Sequence, residues 1–265
     1  MSTSTTRDWY DTPLYYDIIF DADSAKEADF METIMRRHSG VKGKGPWRVL
    51  EPACGTGRLL LALAQRGHEV SGFDANPNML DYARRRLARK KRRAELWQDR
   101  LEDFSPPSKT RFDLAHCLVS TFKYIQDEEG AVSHLRHVAN ALRRGGLYLL
   151  GIHLTDYSCV YGDQERWKEE RDGIRVVCNT RTWPPDRKSR QERLRTRLKI
   201  TREGKTWTQE TKWTFRTYDA RQVRSLLKKV SALELVTCYT FDYDPNETCK
   251  LDHRTYAAVL VLRKI

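Results

Sequence analysis

Nine residues, Val49-Leu50-Glu51-Pro52-Ala53-Cys54-Gly55-Thr56-Gly57, limit what this chain can fold into more than any other stretch. A short apolar run ends in a carboxylate, passes into a turn with glycine at alternate positions, and gives way to a helical pattern at Arg58. The two glycines allow a sharp turn and let backbone approach a ligand with no Cβ in the way. The free N–H groups of the following helix point back over that turn. The stretch reads as a strand, turn and helix of a parallel α/β sheet, with a nucleotide-sized pocket in outline.

The chain beyond it repeats that alternation. Arg48–Ala53 reads as a strand, Arg58–Arg66 as its helix with Gly67 as the stop, and Glu69–Asp74 as a second strand ending in an acid. Asn76 or Asp74 caps the next helix, Pro77 fits its first turn, and Met79, Leu80, Ala83 and Leu87 form its apolar stripe. Glu95–Gln98 is a third strand, followed by Asp99. Phe112–Val119 is nearly all apolar, as a strand buried on both faces should be. A helix over Glu128–Leu142, stopped by Gly145-Gly146, precedes a fifth strand at Leu147–Leu154.

From Ser158 to Tyr218 the pattern changes to long polar strands, with turns at Asp172-Gly173, Pro184-Pro185 and Glu203-Gly204. This is the pattern of an antiparallel meander inserted after the fifth strand. Alternation puts Arg193, Arg195, Arg197 and Lys199 on one face and Leu194, Leu198 and Ile200 on the other. Trp207, Trp213 and Phe215 share a face of the next strand. A helix from Asp219 to about Lys229 and two strands, Leu233–Phe241 and Tyr256–Arg263, close the chain. At the other end, Trp9 to Phe20 is rich in aromatics around Pro13, and Ala25–His38 is amphipathic, with Phe30 and Ile34 on one face. The expected division is a helical lid segment at 1–44, a cofactor-binding core at 45–157, a β insert covering the substrate at 158–218, and a helix and hairpin completing the core at 219–265.

Four features fall at the carboxyl ends of successive strands, where open α/β sheets bind ligands. They are Glu51 with the Gly55/Gly57 turn, Asp74, Asp99, and the segment Cys117–Tyr124. An acid about twenty residues past a glycine turn suits the two hydroxyls of a ribose. Asp99 lies farther along the same edge, within reach of an adenine amino group. A dinucleotide-binding turn would require glycine at position 60, where the chain has Leu60.

With Gly72-Phe73-Asp74, Gln98-Asp99, Phe112-Asp113-Leu114 and Leu142-Arg143-Arg144-Gly145-Gly146, residues 45 to 155 resemble the class I S-adenosylmethionine-dependent methyltransferases. Tyr15-Tyr16-Asp17-Ile18-Ile19-Phe20 and the place of the insert are similar to the branch that methylates small molecules, including glycine N-methyltransferase-like enzymes. The resemblance implies a Rossmann-like seven-stranded sheet with the last strand antiparallel. It implies S-adenosylmethionine as cofactor: Gly55, Gly57 and Ala53 beside its methionine and ribose, Glu51 near its amino group, and Asp74 on the ribose. Asp99 and the Arg100 backbone would meet the adenine, Ala75 and Asn76 the adenosine side, and Cys117 and Leu118 the methionine carboxylate and sulfonium.

Methyl transfer from a sulfonium needs mainly alignment and exclusion of water. A general base is required where the nucleophile arrives protonated. Candidates are His153, ending the fifth strand, and Tyr16 or Tyr15 in the lid segment. His134 and His137 are three apart on a helix but lack a third ligand, so no metal is expected. The net charge of +12 raises a second reading, an RNA- or other nucleic-acid-directed enzyme using the basic insert. A third, a non-catalytic scaffold, has no need of Glu51, Gly55, Gly57 and Asp74 together. The six scattered cysteines, the polar start and the lack of a long apolar run point to a cytoplasmic protein with a small-molecule substrate and no membrane partner.

Overall fold

The computed structural model describes residues 4–6, 8–21, 23–43 and 45–265. In chain order the strands and α-helices are β1 (Ser4–Thr6), α1 (Pro13–Phe20), α2 (Ser24–His38), β2 (Arg48–Pro52), α3 (Arg58–Gln65), β3 (Glu69–Asp74), α4 (Pro77–Arg89), β4 (Glu95–Gln98), β5 (Phe112–Cys117), α5 (Glu128–Ala141) and β6 (Leu142–His153). Then come β7 (Gln164–Arg171), β8 (Ile174–Thr182), β9 (Gln191–Arg202), β10 (Lys205–Arg216), α6 (Ala220–Lys228), β11 (Leu233–Tyr239), β12 (Thr248–Cys249) and β13 (Ala257–Lys264). No described helix is long and apolar enough to cross a membrane. Two compact units result.

The larger unit holds Asp23–Thr155 and Tyr218–Ile265 around one sheet in the order β12-β11-β13-β6-β5-β2-β3-β4. Strands β4, β3, β2, β5 and β6 run parallel, and β13 and β11 close the sheet antiparallel. That is the expected seven-stranded arrangement plus an eighth strand, the two-residue β12, on the free edge of β11. All six residues of β5 are buried, so both faces of the sheet carry core. One core lies under α5 and α6, with Phe112, Leu135, Tyr148, Leu226 and Leu260; the other lies under α2 and α3, with Met31, Val49, Leu60, Leu114 and Val261.

Glycine decides two close approaches. A Cβ on Gly72 would stand 2.9 Å from both Cys54 Cβ and Leu60 Cδ1, so the turn and α3 pack directly on β3. Gly145-Gly146, expected to stop α5, instead lies inside β6, which begins at Leu142 immediately after the helix. Gly145 is left-handed, at φ +79°, and a Cβ there would come within 2.8 Å of the Gly40 backbone. These glycines admit a second chain segment rather than end a helix.

The smaller unit joins the described residues up to Asp21 with Asp156–Thr217. Its sheet runs β1-β10-β9-β8-β7, antiparallel except for β1, an edge strand with no sequence signal. Two-residue turns at Asp172-Gly173 and Glu203-Gly204 hold both residues at positive φ, the hairpin geometry that follows strand twist. The inner face buries Val176, Cys178, Leu198 and Ile200. Against it pack Trp9, Ile18 and Ile19 from the N-terminal segment. Pro13 is the first residue of α1, where its missing N–H costs nothing.

Gly72→Ala is expected to lower the unfolding free energy by about 1–3 kcal/mol, the usual range for overpacking. Urea denaturation measures this. An unchanged midpoint would show that Leu60 and Cys54 move aside freely.

Candidate functional site

The turn after β2 is held from β3. Asp74 Oδ2 accepts the Gly55 N–H at 2.8 Å, and Oδ1 accepts the Asn76 N–H at 2.8 Å. Cys54 N–H donates to the Phe73 carbonyl at 2.9 Å, and Gly57 N–H to the Cys54 carbonyl at 2.9 Å. Ala53, Gly55 and Gly57 all have positive φ, at 52°, 53° and 70°. A Cβ on Gly55 would meet nothing within 4 Å, so the turn faces open space there. One on Gly57 would stand 2.9 Å from Ala83 Cβ, which makes its smallness a requirement of packing between α3 and α4.

Glu51, one position before Pro52 in β2, is 8% exposed, and its Oε2 has no hydrogen-bond partner. Burial pushes its carboxyl well above the usual range; Arg58 opposes the shift, while Glu27 and Asp74 add to it. Arg58 itself is paired with Glu27, its Nη2 lying 3.0 Å from Oε1. Asp74 is also raised by burial, despite hydrogen bonds from the Asn76, Gly55 and Ala75 backbone. Asp99 accepts from the Arg100 and Ser105 N–H groups, each at 3.0 Å, and from the Trp97 indole at 3.2 Å. Ala75 and Arg100 are exposed at this rim.

Cys117 and Leu118 follow on β5 and its exit. The Cys117 side chain belongs to the core under α5, where burial raises its thiol to about 12, whereas Leu118 packs in the core under α2 and α3. Past them the backbone makes two consecutive left-handed residues, Val119 and Ser120, at φ 57° and 64°. Ser120 Oγ accepts the His153 backbone N–H at 2.8 Å and lies 2.7 Å from His153 Nδ1. The imidazole packs on Phe241 and Tyr256, with ring centres 4.6 and 5.6 Å away. Both rings line a cleft of about 460 Å³ that also carries Asp242, Lys250, Asp252 and Arg254. Burial lowers the His153 pKa to about 4.

The larger unit thus gathers Glu51, Ala53, Gly55, Gly57, Asp74, Ala75, Asp99, Arg100, Cys117, Leu118 and His153 at or just past the carboxyl ends of its parallel strands. Tyr15 and Tyr16 belong to the smaller unit: Tyr16 packs on Trp9 and Phe20, at 5.3 and 4.7 Å, and Tyr15 on Trp207 at 6.0 Å. Of the histidines three apart on α5, His134 uses Nδ1 toward the Leu101 carbonyl and Nε2 toward the Tyr148 hydroxyl.

Residues 49–146 match the family described as a methyltransferase domain. Glycine N-methyltransferase of Rattus norvegicus is 32% identical over 135 residues, 47% of this chain and 44% of the rat protein. The chain spans about half the length of the curated relatives it matches. A solved S-adenosylmethionine-dependent methyltransferase of Clostridium acetobutylicum shares the fold, with TM-score 0.76 and 19% identity over 97% of this chain and 98% of that one. A sugar N-methyltransferase of Streptoalloteichus does so with TM-score 0.73 and 18% identity over 100% of this chain and 96% of that one. Together these likenesses support a class I S-adenosylmethionine-dependent methyltransferase domain at residues 49–146.

The donor set fits S-adenosylmethionine. A buried carboxylate with an unpartnered oxygen suits an ammonium, open space over Gly55 admits a ligand against backbone, and Asp74 keeps lone pairs for hydroxyls. Two neighbours of the site carry little sequence signal. His116, adjacent to Glu51 across β5 and β2, is fully buried, with Nδ1 4.0 Å from Glu51 Oε1 and neither ring nitrogen hydrogen-bonded. Burial, with Arg58 adding, lowers its pKa to about 3, so it is neutral at physiological pH. A histidine inside a mostly apolar strand is its sequence signal. Ser120 had none, because its partner lies 33 residues away.

Because the Glu51 carboxyl is raised in the folded state, the folded protein holds this proton more tightly than the unfolded chain. Stability therefore falls as pH rises from the ordinary value of 4.5 toward the folded one. Glu51→Gln removes that loss. Ligand-free variant and parent should differ little near about pH 4 and diverge as pH increases, with the variant the more stable. Urea melts across that range measure the gap, and a constant gap would show that Glu51 does not titrate there.

Proposed function

We propose that this methyltransferase moves a methyl group from S-adenosylmethionine to an amine nitrogen of a small molecule in the cytoplasm. The observation that carries the donor half is the buried, unpartnered Glu51 oxygen beside a turn pinned to Asp74. When bound, S-adenosylmethionine supplies a methyl carbon on a cationic sulfur that already serves as leaving group. Glu51 would hold the ammonium of its methionine portion, Asp74 the ribose hydroxyls, and Asp99 with the Arg100 backbone the adenine. Ala53 and Gly55 offer backbone to the same ligand, with Ala75 and Leu118 at its edges; Gly57 and Cys117 would act through backbone position alone.

The acceptor half rests on His153 and the cleft beside it. Asp242 and Asp252 would meet a cationic amine, Lys250 and Arg254 balance their charge, and Phe241 and Tyr256 supply apolar walls for its body. An ammonium must give up a proton before its nitrogen has a lone pair to bond to carbon. Ser120 Oγ can accept from both the His153 backbone N–H and the Nδ1–H, and in that tautomer Nε2 carries a free lone pair. Neutral at physiological pH and binding a proton weakly, His153 would receive the amine proton and release it to water. Positioning supplies the rest of the acceleration. The match to glycine N-methyltransferase and the fold shared with a sugar N-methyltransferase favour nitrogen over oxygen as acceptor atom.

Calorimetry should show S-adenosylmethionine and its demethylated product binding to the parent protein. Asp74→Ala should weaken binding by more than about 100-fold through loss of two charge-assisted contacts. No binding by the parent overturns the proposal. With amino acids and amino sugars as trial acceptors, Ser120→Ala should lower kcat by roughly 10–100-fold while cofactor affinity holds. Equal kcat would remove His153 and Ser120 from the proton path.

A further inference from the structure

Part of the +12 net charge lies on one surface that the proposed methyl transfer does not use. In the smaller unit the inner face of the sheet is covered, while the outer face of β8, β9 and β10 is open to solvent. Arg181, Arg195 and Lys212 are directly opposite one another across these three strands, a row of three cations. Neighbouring strands lie about 4.8 Å apart, and like charges at that spacing destabilise a sheet. Arg193, Arg197 and Lys199 extend the array along β9. Arg175 is taken up by Glu170 at 2.8 Å. Against the other six stands one carboxylate on this face of the three strands, Glu210, near Arg195, Arg197 and Lys212 at 3.8, 2.8 and 3.5 Å. Six cations less one acid leave +5 on this patch.

An aromatic ring sits in the array. The Trp183 N–H donates to the Arg193 carbonyl at 3.0 Å, which continues β8 past Thr182. The guanidiniums of Arg181, Arg193 and Arg195 lie 5.2, 5.9 and 5.9 Å from its ring. Trp183 is half-buried, so one indole and three guanidiniums form a layered π platform among the charges.

We propose that this face binds single-stranded nucleic acid. Arg181, Arg193, Arg195 and Lys212 neutralise successive phosphates, and an unpaired base stacks on the Trp183–guanidinium platform. A strongly basic surface alone attracts any polyanion. The ring among arginines selects a partner with flat, unpaired bases, which neither a duplex nor an acidic peptide offers. This binding is independent of methyl transfer, and its failure would leave the cofactor site untouched.

The test is fluorescence anisotropy of a labelled mixed-sequence single-stranded oligonucleotide over a range of salt. The same sequence as duplex, polyglutamate and phosphatidylserine vesicles serve as comparators. The parent should prefer the single strand, with log K falling against log salt at a slope of about −2 to −4, as three to five phosphates require. The triple variant R181E/R195E/K212E should lose more than about tenfold in affinity and about 2 in slope. Trp183→Ala should weaken single-strand binding by about 5- to 150-fold and leave weak duplex binding unchanged. Circular dichroism melts identify variants that fail to fold, and the parent's preference among comparators stands without them. Absence of binding at low salt, equal affinity for duplex, polyglutamate or vesicles, or unchanged binding by folded variants overturns the proposal.

Discussion

The site depends on one carboxylate. Asp74 ends β3, yet its two oxygens receive the N–H groups of Gly55 and Asn76, one in the turn after β2 and one at the cap of α4. It therefore fixes the turn and the start of the next helix relative to each other. These anchors hold it half-buried; desolvation raises its pKa, and the backbone donors only partly offset that. The group placed to meet a ribose is also the group that shapes the wall beside it, so its removal would affect both pocket and contact.

Next to it lies an unusual concentration of ionisable groups for so apolar a sheet. Across one row stand Gly72, Glu51, His116 and Leu149, from β3, β2, β5 and β6. Gly72 is kept small by Leu60 and Cys54 above it, and His116 is kept neutral by burial. Glu51 is left with Arg58 as its favourable charge, and Arg58 is already bound to Glu27. A carboxyl in that position is poorly satisfied by the protein alone. A cationic ligand group would relieve it, so the ligand-free protein holds in reserve a destabilisation that binding can release.

Acids at the ends of β2 and β3 stand out in the sequence because they interrupt apolar runs, and a strand-end position is a local property. Alternation likewise separates Arg193, Arg195 and Arg197 from Leu194 and Leu198 without knowledge of any partner strand. What the sequence conceals is long-range. His116 matters only because register sets it beside Glu51, and Ser120 because β6 returns beside the exit of β5. Val119 and Ser120 adopt left-handed backbone with no glycine to announce it. Gly145-Gly146 resembles a helix stop until the backbone of Gly40 is seen against it. β12, two residues long, is too short for any periodicity to register.

The two sheets also differ in what they leave free to vary. In the larger unit both faces are core, so chemistry is confined to the strand ends. In the smaller unit alternate residues of β8 and β9 serve separate ends: Val176, Cys178, Leu198 and Ile200 are at most 1% exposed, while Arg175, Arg181, Arg193, Arg195, Arg197 and Lys199 lie on the other face. Burying each of the three aliphatic side chains among them contributes about 1.5–3 kcal/mol. Like charges facing each other across strands cost about 0.2–1 kcal/mol per pair. The inner face therefore stabilises the sheet by several times what the row of Arg181, Arg195 and Lys212 costs. A cationic surface of this kind can be carried with little loss of stability, because the two-residue period assigns folding and recognition to different side chains.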